Sequence, residues 1–484
     1  MMSKSSYSNI TLNYIVSNFT PRAASLILLP IFLRFMDINI WGEISLLLAF
    51  QVVFVNIFSW GLDSLGHRVF QDLDQEVRNQ FINKTIKKFF IYNFFFLIIL
   101  EFVLNTNLTE FFNIDYGIPF RLTVLTGMLI SFTRLLVKLY GSLNESVIVR
   151  NSIYLESIFI PIFQLSLVSL IIYFYDFEDR MLVSSYFIGQ FLGTLIKTIY
   201  LKKKSNTLFQ TNNKEVLLIT EKMQKNYSNL SYLYSMFAML LGWQDRFFLT
   251  KFYTLEEVAK YSTVYRLVDL HGVFISAFVA AVAPIIWSIN NKNIKNSKEL
   301  FRNIISMSTL VGSFGVTASI IIGPILLPPQ YHSALAIVPY LAIGFIFGSL
   351  ASLYGLLLEK EYKLHIRLYG MIGGALTNLV LIYLFIGKYE ILGLSYATMF
   401  GFIVVFIINY FYTNKEYRIL IFNKYFSTSL IVISLFIVLY KDIWYLNLFF
   451  LLVSVVLLIL IVNLFKQMMK FQNSDFYGVD SNND

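Results

Sequence analysis

Apolar segments of 18 or more residues recur along the whole of this chain, and they constrain its fold more than any other feature. A helix of that length is long enough to cross roughly 30 Å of hydrocarbon. Only 14% of the residues are charged, against about 25% in a typical water-soluble protein. The sequence therefore predicts an all-α integral membrane protein.

The number of apolar segments predicts about fourteen transmembrane helices. The first is expected to be a retained helix and not a signal peptide, because no small-residue cleavage site follows it. The predicted helices span residues 11–35, 43–66, 86–106, 118–141, 152–175, 181–201, 227–250, 261–289, 303–327, 335–358, 367–387, 391–413, 425–440 and 443–465.

The lysines and arginines between these helices predict the orientation, because cytoplasmic connections are enriched in them. If the N-terminus is cytoplasmic, 26 basic residues lie in or at the edge of cytoplasmic segments and eight on the opposite side. Both termini are therefore predicted to be cytoplasmic. This bias also explains the net charge of +9, so no nucleic acid is expected as a partner.

Nothing in the sequence indicates an enzyme. The chain has no cysteine, and its four histidines lack the spacing of a metal site. The longest predicted connection, residues 201–225, is too short to fold into a catalytic domain. We therefore expect no cofactor and no bound metal, although coupling to a proton or sodium gradient stays open.

The chain contains an internal repeat, a feature typical of transporters. LPIFLRFMDINIWGEISLLL at 29–48 and RFFLTKFYTLEEVAKYSTVY at 246–265 both read as a helix end, a polar turn and a new helix, at an offset of 217. Residues 141–174 and 355–385 form a second pair at a similar offset. Six predicted helices separate equivalent positions, so the two repeats have the same orientation.

This repeat predicts how the chain is divided. We expect an N-lobe of helices 1–6, a basic cytoplasmic linker, a C-lobe of helices 7–12, an extra pair of helices 13–14, and a disordered cytoplasmic tail. Their predicted bounds are 1–200, 201–226, 227–413, 414–470 and 471–484.

Polar residues share one face on four of the predicted helices. Because an intramembrane charge that faces lipid costs about 2.5–3.5 kcal/mol, such residues normally face the protein interior or a wet cavity. The pattern therefore predicts a hydrophilic cavity between the two lobes. The faces comprise Asn18, Arg22 and Ser25 on helix 1; Asn56, Trp60, Asp63 and His67 on helix 2; Ser231, Ser235, Gly242 and Asp245 on helix 7; and Ser262, Arg266, Asp269 and Ser276 on helix 8.

The segments 29–48, 241–267 and 323–368 together resemble the polysaccharide-exporter branch of the multidrug/oligosaccharidyl-lipid/polysaccharide superfamily, which contains the O-antigen flippases. The most specific element is the pair Asp245-Arg246, followed by a turn and then Tyr261-Ser262. The resemblance covers roughly residues 10–413. The chain departs from the family in having Trp41 before Gly42, where Tyr is usual, and Ala259 where Gly is usual.

The resemblance implies a flippase that moves an undecaprenyl-pyrophosphate-linked oligosaccharide across the bacterial inner membrane by alternating access. It implies two six-helix lobes around a central cavity. Its partners would be the lipid-linked glycan, the lipid bilayer and other polysaccharide-assembly proteins, such as a polymerase and a chain-length regulator. A multidrug exporter of the same superfamily and a lipid II or teichoic flippase are alternatives. A membrane polymerase or ligase is disfavoured, because those enzymes typically carry a long external loop.

The site residues follow from this anionic substrate, because guanidinium groups bind phosphate oxygens in a bidentate manner. Other interpretations stay open: Asp245–Arg246 as a structural pair, Arg266–Asp269 as a self-neutralising pair, and Arg22 as a residue that reaches the interface beside a Pro21 kink. The candidate substrate-binding residues are Arg22, Arg266, Arg246, Asn18 and Asn56, and the candidate charge-pairing or ion-coupling residues are Asp245, Asp269 and Asp63.

Overall fold

The structure is a computed structural model, and the only regular elements among the residues that it describes are helices. Seven of these helices are long and apolar enough to cross a membrane, namely α2, α4, α5, α6, α9, α10 and α11 as defined below. The predicted all-α membrane fold is confirmed. The described residues are 24–25, 27–62, 75–104, 117–142, 146–174, 179–205, 215–269, 272, 294–361, 363–418, 456–457 and 459–460.

The helices follow the predicted order. A 3-10 helix, Pro329–Ile337, leads into α10. In chain order the α-helices are α1 (27–35), α2 (Ile38–Ser59), α3 (Gln75–Leu104), α4 (Ile118–Ser142), α5 (Ser146–Phe174), α6 (Asp179–Ser205), α7 (Glu215–Phe252), α8 (255–269), α9 (Ile294–Leu326), α10 (Val338–Lys360), α11 (Leu364–Tyr412) and α12 (Lys415–Arg418).

Several helix bounds differ clearly from the prediction; α3 begins at Gln75 and not at residue 86, and α9 begins at Ile294 and not at residue 303. Helix α2 ends at Ser59 and not at residue 66, because Trp60 adopts a left-handed conformation (φ 48°, ψ 23°). Helix α7 begins at Glu215 and not at residue 227, since its first three turns are too polar to stand out in an apolar run. Helix α11 contains predicted helices 11 and 12, which a kink at Glu390 (φ 50°, ψ −130°) separates. Most of predicted helices 13 and 14, and the tail, lie outside the described residues.

Many large apolar side chains are exposed on the outer surface of the helices, and some polar side chains are buried between them. Buried Asn378 donates a hydrogen bond to Thr398 (3.2 Å), and buried Asn409 donates one to the Ala351 carbonyl (2.9 Å). Such bonds join helices where no water can satisfy the polar group. On α3, by contrast, five large apolar side chains are exposed, as expected of a lipid-facing helix: Phe94, Phe95, Ile98, Ile99 and Phe102.

The chain divides into two compact units, Thr20–Ser262 and Thr263–Asp484 together with Met1–Phe19. In the first, α5 packs closely on α6, and a Cβ atom at Gly189 would lie 2.6 Å from the Gln164 nitrogen. In the second, a Cβ atom at Gly374 would lie 2.7 Å from the Gly401 carbonyl oxygen. The division into six-helix lobes at residues 201–226 stays a prediction.

The backbone repeats at the predicted offset. Met36 and Tyr253, 217 positions apart, each donate a hydrogen bond to the carbonyl four residues earlier, at 2.9 and 2.8 Å. A side chain caps the helix that follows each turn. Asp37 accepts a hydrogen bond from the Asn39 amide at the start of α2 (2.8 Å), and Thr254 accepts one from the Glu257 amide at the start of α8 (3.5 Å). The α1–α2 and α7–α8 turns therefore share one backbone conformation, as the repeat predicted.

Gly42 allows these two turns to pack together. A Cβ atom there would lie 2.7 Å from the carbonyl carbon of Leu255 and 3.0 Å from its Cβ. Overpacking of this kind typically costs about 1–3 kcal/mol, so we expect Gly42→Ala to lower the thermal unfolding midpoint of the purified chain in detergent. Gly387→Ala is the control, because nothing lies within 4 Å of a Cβ atom at that position. Equal midpoints for the two variants would show that the turns do not need this close approach.

Candidate functional site

Asp245 and Arg246 form a buried ion pair in the last two turns of α7. Both side chains are 1% exposed, and the Arg246 Nη1 lies 3.2 Å from the Asp245 Oδ1. The same Nη1 donates a hydrogen bond to the Gly242 carbonyl (2.9 Å). On α8, the hydroxyl of Tyr261 donates a hydrogen bond to the other Asp245 oxygen. The pair therefore joins α7 to the beginning of α8.

Aromatic rings enclose the Arg246 guanidinium as well. Its Cζ lies 4.6 Å from the Trp243 ring centroid and 5.5 Å from that of Tyr261. Rings at such distances attract a cation through their negative faces. Arg246 was predicted to bind substrate, yet in this conformation protein groups surround its charge. This burial favours the alternative interpretation that the pair fixes α7 against α8.

Arg266 and Asp269 lie one helical turn apart on α8, and both side chains are half-buried. Residues at this spacing lie on the same side of a helix. The Asp269 Oδ1 lies 3.2 Å from the place that a Cβ atom of Gly272 would occupy, so the glycine leaves room beside the carboxylate. Unlike Arg246, Arg266 retains exposed surface. It is thus the better-placed of these two arginines for contact with a ligand.

The predicted polar face of helix 2 is not a continuous helical face. Asn56 is half-buried, and its Nδ2 donates a hydrogen bond to the Val52 carbonyl of the same helix (2.8 Å). The helix then ends at Ser59, so Trp60 does not follow Asn56 at helical spacing, and the prediction that they share such a face is wrong. The candidates Asn18, Arg22 and Asp63 lie outside the described residues.

The structure also brings together charged residues that the sequence analysis did not pair. Lys197 on α6 and Glu156 on α5 form an ion pair within the first unit, with side chains 8% and 20% exposed. Lys197 was counted among the cytoplasmic basic residues. A carboxylate at position 156 inside a predicted transmembrane helix was the sequence signal that could have found this pair.

No protein-family model matches the sequence, and neither does any curated protein. Solved structures do match. The lipid II flippase MurJ in its inward closed conformation gives a TM-score of 0.66 at 13% identity, over 94% of this chain and 98% of that chain.

Two structures of MATE proteins also match, each over 89% of this chain and 96% of theirs. MATE in the straight conformation gives a TM-score of 0.59 at 11% identity. The outward-facing conformation of a multidrug resistance MATE family transporter of the MOP superfamily gives 0.56 at 11% identity. This chain therefore has the fold of MurJ and of these MATE structures, which agrees with the resemblance of its sequence.

Proposed function

We propose that this chain is a flippase that moves a polyprenyl-pyrophosphate-linked oligosaccharide, such as an O-antigen repeat unit, across the bacterial cytoplasmic membrane. The observation that carries the proposal is the half-buried Arg266 on α8, in a chain with the fold of a lipid II flippase. An arginine retained in a membrane helix is costly unless it serves a polar ligand or partner. A pyrophosphate supplies the oxygens that a guanidinium binds best.

The other parts of the proposal follow from the sequence. Arg22 would be a second cation for the pyrophosphate, and Asn18 and Asn56 would bind polar groups of the glycan. Asp63 and Asp269 are the proposed carboxylates for coupling to a proton or sodium gradient. Both termini would be cytoplasmic, and a polymerase and a chain-length regulator would receive the exported unit. The chain would act as a transporter and not as an enzyme.

A multidrug exporter is the second candidate, and the matches to MATE structures support it. Such an exporter would bind cationic drugs through carboxylates, and Asp269 is half-buried on the same helix as Arg266. The two candidate functions thus differ in which charged residue of α8 binds the substrate: Arg266 in a flippase, and Asp269 in a multidrug exporter.

Deletion of the gene distinguishes them. For a flippase, we expect surface polysaccharide to disappear and its lipid-linked precursor to accumulate in the inner leaflet, with both effects reversed by the intact gene. The accumulated glycan, released from the lipid and analysed by mass spectrometry, would identify the substrate. Normal surface polysaccharide together with increased sensitivity to cationic drugs would instead support the exporter.

A further inference from the structure

Trp60 ends α2 in a conformation that favours glycine. It lies in the left-handed region at φ 48°, and Gly61 follows at φ 68°. Helices commonly end in such a conformation, but usually with glycine, because a side chain strains the backbone there. Among the described residues, only Trp60 and Glu390 combine a side chain with positive φ. A large side chain at a strained position leads to the hypothesis that the side chain has a function there.

A buried asparagine fixes the orientation of this indole. The Trp60 Nε1 donates a hydrogen bond to Oδ1 of Asn93 on α3 (2.9 Å), and Asn93 donates one to the Phe58 carbonyl (3.1 Å). Asn93 is 0% exposed. Tyr92 and Phe96 of α3 pack edge-on against the indole, at centroid distances of 5.9 and 6.2 Å. The ring is therefore held rigidly while 36% of the residue stays exposed.

The exposed part of Trp60 differs from that of an ordinary interfacial tryptophan. In the aromatic belts of membrane proteins, the indole N–H usually reaches water or lipid head groups. Here the N–H bonds to Asn93, so a ligand that reaches the exposed part of the ring meets carbon atoms and not the N–H. Tyr232 of α7 holds its ring within 17° of the indole plane, with centroids 6.4 Å apart. Helices α2 and α7 thus present two nearly parallel aromatic rings.

The depth of Trp60 suggests which ligand meets these rings. The 22 residues of α2 span about 33 Å at roughly 1.5 Å per residue, close to the thickness of the hydrocarbon core. With the predicted topology, α2 begins at the outer surface, so Trp60 lies at the cytoplasmic interface. The sugar of a lipid-linked saccharide lies at this level before it is transported.

We propose that Trp60, together with Tyr232, is a stacking surface for a pyranose ring of the lipid-linked saccharide in its loading position. The C–H groups of a pyranose face carry partial positive charge, and an aromatic face is negative. The inference rests on the proposed flippase function and adds a sugar subsite to it. Trp60 would bind the face of the pyranose ring, whereas Arg266 and Arg22 would bind the pyrophosphate.

Two matched probes test this subsite with the purified full-length chain in nanodiscs: undecaprenyl pyrophosphate, and the same lipid carrying one N-acetylglucosamine. We expect the native chain to bind the sugar-bearing probe about tenfold more tightly than the bare lipid, a difference in binding free energy of roughly 1.4 kcal/mol. Trp60→Leu should bind both probes equally, at the native affinity for the bare lipid. Trp60→Phe should retain most of the difference, since it keeps a ring.

Phe95→Leu is the control, because Phe95 is a 60% exposed aromatic residue of α3 that should face lipid. It should behave as the native chain does. The subsite is refuted if the native chain binds both probes equally, or if Trp60→Leu keeps the difference. It is also refuted if Trp60→Leu weakens binding of the bare lipid as much as it weakens binding of the sugar-bearing probe, since the residue would then act through packing. Failure of the native chain to bind either probe would overturn the flippase proposal itself.

Discussion

Asp245→Ala is expected to destabilise the chain by about 3–5 kcal/mol, because removal of one partner leaves the other charge of a buried pair uncompensated. The stranded group would be the Arg246 guanidinium, which is 1% exposed and cannot turn to water without disrupting the α7–α8 contact. The measurement is the thermal unfolding midpoint of the purified chain in detergent, together with its abundance in the membrane. Tyr261→Phe should cost less, about 1.5–3 kcal/mol, since it removes one hydrogen bond to a charged group.

A double variant separates a structural pair from a substrate site. Asp245→Leu with Arg246→Met removes both charges and retains apolar volume, a change that is often neutral for a buried pair. If the pair only fixes α7 against α8, the double variant should recover most of the lost stability and should export polysaccharide. A stable double variant that exports no polysaccharide would instead support Arg246 as a substrate-binding residue.

Replacing Arg266 with Gln and Asp269 with Asn together is expected to lower export roughly 10- to 100-fold without loss of membrane abundance. The estimate follows from losing a charged hydrogen-bonding contact of about 1.5–3 kcal/mol with the pyrophosphate. Since both charges are removed together, no uncompensated charge remains, so instability cannot account for the loss. Cell-surface polysaccharide, normalised to the amount of protein, is the quantity to measure.

Two further variants complete this test. Restoring Asp269 alone should not recover export, because the phosphate-binding group is still missing. Arg121→Gln is the control for loss of an arginine, since Arg121 forms an exposed ion pair with Glu101 and should export normally. Full export by the Arg266/Asp269 double variant would show that these residues form a self-neutralising pair, and Arg22 would then be the main candidate for phosphate binding.

The order of the helices along the chain could be predicted from the sequence, because two local properties carry that information. The length of an apolar run specifies a membrane helix, and polar turns separate one run from the next. The repeat at an offset of 217 placed the α1–α2 turn and the α7–α8 turn in correspondence, and the backbone hydrogen bonds of Met36 and Tyr253 agree with it. Helix ends in polar or strained segments were harder to predict, as at Glu215 and Trp60, since no hydropathy signal marks them.

The environment of each charge was decided by the tertiary structure alone. In the sequence, Asp245-Arg246 and Arg266/Asp269 are equivalent signals: a cation and a carboxylate near each other in an apolar helix. In the structure, the first pair is enclosed by Trp243 and Tyr261, whereas Arg266 and Asp269 are only half-buried. Likewise, Trp60 obtains its fixed orientation from Asn93, 33 positions away on another helix. Helical spacing predicts which residues share a face, but burial depends on the side chains that distant segments bring against that face.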